Sequence, residues 1–181
     1  MASSVASARR YAEAAFALAS ESETLDRWSG DLLTLANFID EPEVKDILTS
    51  NRVPRDEKLR LLDAGVKAYV SPLAMNLVRL LDQRGKTTLA RDIQVAFQGM
   101  LDERRGVAHA VVTTAVAIDD GERTAIAAKL SSLTNKQVDV TSVVDPSIIG
   151  GIVARIGDQL VDGSTRSRLA ALKRNLEGAT R

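Results

Sequence analysis

The spacing of apolar residues changes period once along this chain, at Gly106, and no single repeating architecture accommodates both halves. Before it, apolar residues recur at intervals of three and four, the signature of amphipathic helices. The second such segment carries Leu25, Trp28, Leu32, Leu35 and Ile39, behind a Ser20-x-x-Glu23 capping-box pattern. Three segments open on proline, at Pro42, Pro54 and Pro72, the last behind Ser71 as a cap. A sixth opens near Thr87, carries Leu89, Ile93, Ala96, Phe97 and Met100 on one face, and ends at Gly106. Short connections favour antiparallel neighbours, hence a bundle.

After Gly106 the pattern turns to β-branched residues. Val107 to Ile118 is rich in Val and Thr, Asp119 to Thr134 reads as a helix through Ile126, Leu130 and Leu133, and Val138 to Val144 is a strand again. Gly157-Asp158 then separates two apolar runs within Ile148 to Asp162, a hairpin whose turn needs a positive φ at Gly157. Asp162-Gly163-Ser164 breaks the second run, and Ser164 is placed to cap a helix carrying Leu169, Leu172 and Leu176. The expected fold is an N-terminal all-α six-helix bundle over residues 1–106 and a small C-terminal α+β domain, in the order βαβββα, over 107–181.

Composition narrows the function. Charges balance at 24 basic and 24 acidic residues, so no overall field draws nucleic acid or an anionic membrane. The absence of cysteine removes disulfides, zinc thiolates and thiol catalysis. No apolar run approaches the roughly 20 residues of a membrane helix, so direct membrane insertion is not expected and any membrane link runs through a partner. Met1 to Arg10, with Ser, Ala, two Arg and no acid, has the look of a transit peptide. Against that, Val5, Ala8, Ala12, Ala15, Phe16 and Ala19 already form one apolar helical stripe.

Three segments carry a hint of chemistry. Gly85-Lys86-Thr87 matches the end of a phosphate-binding loop, but Leu80 stands where the loop's first glycine belongs and no strand precedes it. A helix-ending Gly followed by a Thr cap accounts for it. His109 is the only histidine, with no cysteine to share a metal and no serine in a nucleophile-elbow pattern nearby. Asp119-Asp120-Gly121-Glu122 lacks the alternating ligand spacing of a calcium loop and reads better as a helix start with acids favourable to its dipole. No catalytic, cofactor-binding or metal-binding residue is expected.

The first helix holds more apolar surface than one bundle face uses. Besides the stripe through Ala8, Ala12, Ala15 and Ala19 there is a second through Tyr11, Ala14 and Leu18. The fifth repeats this, with Leu73, Leu77, Leu80 and Leu81 suited to a core while Ala74, Met75 and Val78 widen the apolar surface. A helix apolar on two sides is buried on two sides, so each has room for a partner.

Both ends of the chain resemble one family, the delta subunit of bacterial F-type ATP synthases, counterpart of the mitochondrial oligomycin-sensitivity-conferring protein. The likeness lies in Ala8-Arg9-Arg10-Tyr11-Ala12-Glu13-Ala14-Ala15-Phe16 at the start. Near the end it lies in an Ile149-Gly150-Gly151-Ile152 strand, Arg155-Ile156-Gly157-Asp158, and Val161-Asp162-Gly163-Ser164 with Arg166, Arg168 and Leu169. The resemblance implies a non-catalytic peripheral-stalk subunit, one copy per complex, at the cytoplasmic face of the membrane. It implies an N-terminal domain that takes the N-terminal helix of an alpha subunit between its first and fifth helices, through Tyr11, Ala14, Ala15 and Leu18 and through Asn76, Leu77 and Leu80. The C-terminal domain would meet the C-terminal ends of the b subunits, joining stator to catalytic head against rotary torque. Two readings of other classes compete: a helical adaptor binding amphipathic helices in another assembly, and a small hydrolase using His109.

Overall fold

The computed structural model describes residues 2–148, 150–157, 159–163 and 165. The chain divides into two compact units, Met1–Leu101 and Asp102–Arg181. The division falls a turn before Gly106 because Asp102 bonds forward: its Oδ2 lies 3.1 Å from Nε2 of His109. Gly106 O also accepts from the Gln137 N–H at 2.8 Å.

The first unit is helical: α1 (Ala2–Glu21), α2 (Leu25–Asp40), α3 (Pro42–Thr49), α4 (Arg55–Val66), α5 (Pro72–Gln83) and the start of α6 (Ala90–Arg105), with a 3-10 turn at Thr87–Leu89. Pro42 and Pro72 occupy first turns, and Pro54 is the N-cap of α4. The Ser20-x-x-Glu23 capping box does not form. Ser20 belongs to α1, Glu23 takes a φ of 54°, and Thr24 starts α2 without a side-chain cap. The Thr24 N–H instead reaches Ala19 O at 2.8 Å and the Glu23 N–H reaches Ser20 O, a Schellman closure of α1. The start of α5 is built more tightly. Ser71 Oγ accepts from the Ala74 N–H, and the Ser71 N–H donates to the buried carboxylate of Asp31 at 2.9 Å. The core centres on Phe97, which meets Phe16 edge-on at 5.4 Å and stacks on Trp28 at 6.5 Å.

The second unit holds β1 (Val107–Thr114), α7 (Asp120–Thr134), β2 (Gln137–Val144), β3 (Ile152–Ile156) and β4 (Gln159–Asp162) in one sheet of order β2-β1-β3-β4. β1 and β2 are parallel, which requires the crossover that α7 provides, and the other pairs are antiparallel. α7 opens on a reciprocal capping box between Asp119 and Glu122, so these acids serve a helix start. Leu130 of α7 packs on Ala110, Val112, Val138, Val140 and Ala154. Ile156 pairs with Gln159, and Gly157 takes its positive φ of 56° in the two-residue loop between them. The strand expected through Ile149-Gly150-Gly151-Ile152 begins only at Ile152. The glycines form a bend whose Gly150 O accepts the Thr165 N–H, while Ile152 O accepts the Gly163 N–H at 3.2 Å from where a Gly163 Cβ would sit. The expected final helix, with Ser164, Leu169, Leu172 and Leu176, lies outside the described residues.

Candidate functional site

α1 presents two unlike faces. Ala8, Ala12, Ala15 and Ala19 are 0–3% exposed, whereas Ala14 and Leu18 are exposed and Tyr11 is half-buried. Ala15 therefore moves from the expected docking face to the core: it sits three residues from Ala12 and four from Ala19, in line with the buried stripe. Val5, expected on that stripe, is exposed.

On α5 the structure exchanges the expected faces except at Leu81, which is buried as expected. Ala74, Met75, Val78 and Leu81 are buried, while Leu73 and Leu80 are exposed and Leu77 half-buried. The rotation follows from the anchor at Ser71, held inward by Asp31. Positions three, four, seven and ten residues beyond Ser71 then point the same way, and these are the four buried ones. Leucines are left facing out. Asn76 is exposed beside them.

Between the outer faces lies a groove of about 430 Å³, lined by Ser7, Arg10, Tyr11 and Ala14 of α1, by Leu80 of α5, and by Arg84 and Lys86 just after it. Three of the expected residues, Tyr11, Ala14 and Leu80, line it together. Leu18 lies one turn further along α1, Leu77 one turn back along α5 with Asn76 next to it, and Ala15 lies behind in the core. Lys86 Nζ is 3.5 Å from Ser7 Oγ and 5.9 Å from the centre of the Tyr11 ring, within cation–π range. Sequence reasoning missed Arg10 and Arg84 and treated Lys86 only as a phosphate-loop fragment. Nothing in the sequence marks Arg10 as a neighbour of Arg84 and Lys86.

The Gly85-Lys86-Thr87 segment closes α5. The Lys86 N–H donates to Leu81 O and the Gly85 N–H to Asp82 O, with Gly85 at φ 61°. Thr87 is buried as the first residue of the 3-10 turn, whose N-cap is Lys86, so the Thr cap is not formed. The helix closure turns no row of amides toward a phosphate. Titration of the protein with ATP and magnesium is expected to give no saturable heat, and micromolar binding abolished by Lys86→Ala would contradict this. His109 is exposed on the sheet, with Nε2 3.1 Å from Asp102 Oδ2 at the end of α6 and Nδ1 3.7 Å from Asp139 Oδ2 on β2. No group of three or more His, Asp or Glu that could hold a metal ion occurs among the described residues. None of the described helices is long and apolar enough to cross a membrane. In the second unit an apolar concavity of about 600 Å³ lies between α7 and the β3–β4 hairpin, lined by Ile126, Leu130, Leu133, Ile152 and Val161 among others.

The family model described as the ATP synthase delta (OSCP) subunit matches residues 7–176. The chain is 34% identical over 169 residues to "ATP synthase subunit delta" of Dehalococcoides mccartyi, covering 93% of each. It is 34% identical to the protein of that name from Desulfotalea psychrophila, covering 94% of this chain and 96% of that one. With the one from Cupriavidus taiwanensis the identity is 33% over 181 residues, 99% and 100% of the two chains. Among solved structures, a chain of the Toxoplasma gondii mitochondrial ATP synthase hexamer shares the fold, with a TM-score of 0.71 at 22% identity over 93% of this chain and 96% of that one. With matches that run almost end to end, the chain belongs to the ATP synthase delta (OSCP) subunit family.

Proposed function

We propose that the groove between α1 and α5 seats the N-terminal helix of an ATP synthase alpha subunit, and that the C-terminal unit meets the ends of the b subunits. The protein is a non-catalytic subunit of ATP synthase and a component of its peripheral stalk. Its helical unit acts as the family's six-helix bundle, residues 1–106. Residues 107–181 act as the family's small C-terminal α+β domain. Placed at the cytoplasmic face of the membrane, one copy joins the stator to the catalytic head and carries the reaction to rotary torque.

The observation that carries this reading is the outward apolar surface beside the groove. Leu18, Leu73 and Leu80 are 51%, 50% and 38% exposed on the outer faces of α1 and α5, and Tyr11, Ala14 and Leu80 line the groove itself. Apolar surface of this kind beside a concavity suits an amphipathic helix laid into a groove. The tagged full-length protein, isolated from its native cell, is expected to bring down alpha and b subunits together. Recovery of intact synthase without the tagged protein would remove the reading.

A further inference from the structure

We infer that the helix seated between α1 and α5 carries carboxylates at one end of its apolar stripe, where they meet Arg10, Arg84 and Lys86. This deepens the docking assignment and rests on it. The groove wall is apolar at Tyr11, Ala14 and Leu80 and cationic at these three residues, with no acidic side chain among the described residues that line it. The nearby acids are engaged elsewhere: Glu13 pairs with Arg9 at 3.0 Å and Asp82 with Arg55 at 3.3 Å. Arg10 and Arg84 are exposed, and Lys86 contacts a hydroxyl and a ring rather than a carboxylate.

Arg84 and Lys86 follow the carbonyl end of α5, where cations complement the helix dipole. That explanation does not extend to Arg10, which lies in the first half of α1. Three like charges along one small groove repel one another, and a ligand bringing carboxylates relieves that repulsion while its apolar face covers Ala14 and Leu80. Charge at one end only also fixes which way round the helix lies. The Debye length of about 8 Å at physiological salt leaves such contacts effective at close range and weakens them as salt rises.

The test uses the full chain and two synthetic amphipathic helices of equal length with the same Leu/Ala stripe, one with Glu and one with Lys at the polar end. The alpha subunit's N-terminal peptide and phosphatidylglycerol vesicles are run beside them. The Glu peptide is expected to bind about tenfold more tightly than the Lys peptide at low salt, a gap that closes as salt approaches about 1 M, where screening reaches ~3 Å. Arg10→Glu/Arg84→Glu should reverse the preference at unchanged helix content. If that pair lowers helix content, Arg10→Gln/Arg84→Gln should bring the two peptides within about twofold of each other. Equal affinities in the unaltered protein, with Ala14→Gln weakening both, would overturn the charge assignment and leave the groove standing. An alpha-subunit peptide indifferent to Ala14→Gln would remove the groove itself, and this inference with it. Tighter binding to the vesicles than to the Glu peptide, lost in the Arg10/Arg84 variant, would assign the cations to a lipid surface and overturn the proposal.

Discussion

Ala14→Asp is expected to leave the protein folded and to weaken binding of the alpha subunit's N-terminal helix by more than about a hundredfold, a change of roughly 3 kcal/mol. In the free protein residue 14 faces water, opposite the buried row through Ala12 and Ala15, so a carboxylate there stays solvated. Once a partner helix covers it, the carboxylate is desolvated and occupies space that the methyl group left open. Arg10, one turn earlier, meets part of that charge, but in doing so is withdrawn from the partner's own carboxylates. Glu13→Gln is the matched control: it removes only an exposed pair with Arg9, and such pairs contribute about 0.2–1 kcal/mol. Helix content and peptide affinity are measured together on each variant. Unfolding of Ala14→Asp would place the residue in the bundle's own core, and normal binding would move the groove elsewhere.

Phe97→Ala is expected to lower the stability of the helical unit by about 3–5 kcal/mol, the range for deleting a buried aromatic ring. Phe97 is 1% exposed and touches rings on two other helices, Phe16 of α1 and Trp28 of α2. The resulting cavity lies where three elements meet, so no single side chain can collapse into it. The chain's one tryptophan is Trp28, which makes its fluorescence a reporter of this unit during denaturant unfolding. A loss below about 1 kcal/mol would mean that the neighbouring helices close over the gap.

Much of the fold was legible in residues that act locally. Pro42, Pro72 and Ser71 mark helix starts through their own backbone geometry, Gly85 and Gly157 mark ends and turns, and the Asp119–Glu122 box stands three residues apart in plain view. What was not legible depended on position in space. α5 is apolar over a wide arc bounded by Asn76, Arg79, Asp82 and Gln83, so its periodicity leaves open which part of that arc faces inward. Hydrophobic weight favours Leu73, Leu77 and Leu80 for the core, but the bond from Ser71 to Asp31, 40 residues earlier, turns Ala74 and Met75 inward instead. Ser20 and Glu23 match a capping box by type, yet α1 runs on through Ser20 and closes with Glu23 in a left-handed conformation. Of the residues lining the groove, Tyr11 and Ala14 stand out as the second stripe of α1, and Leu80 comes from the family's resemblance. Ala15 was assigned to the docking face by the resemblance alone, although its spacing already put it on the stripe with Ala8, Ala12 and Ala19 that the structure buries. The cationic side of the groove could not be read, because Arg10 and Arg84 become neighbours only when α1 and α5 are brought together.

The most deeply buried row of α1 is four alanines, Ala8, Ala12, Ala15 and Ala19, and such a row admits variation in one direction only. Nothing can be trimmed from it except to glycine, at about 1 kcal/mol of helix propensity for each replacement. Any larger side chain has no void to enter and lifts the helix by its own thickness. The same helix forms one wall of the groove, so a lift on the inside displaces Tyr11 and Ala14 on the outside. A sequence drifting at Ala12 therefore changes what the subunit recognises without altering any residue the partner touches, and the inheritance of recognition is held partly in positions hidden from it.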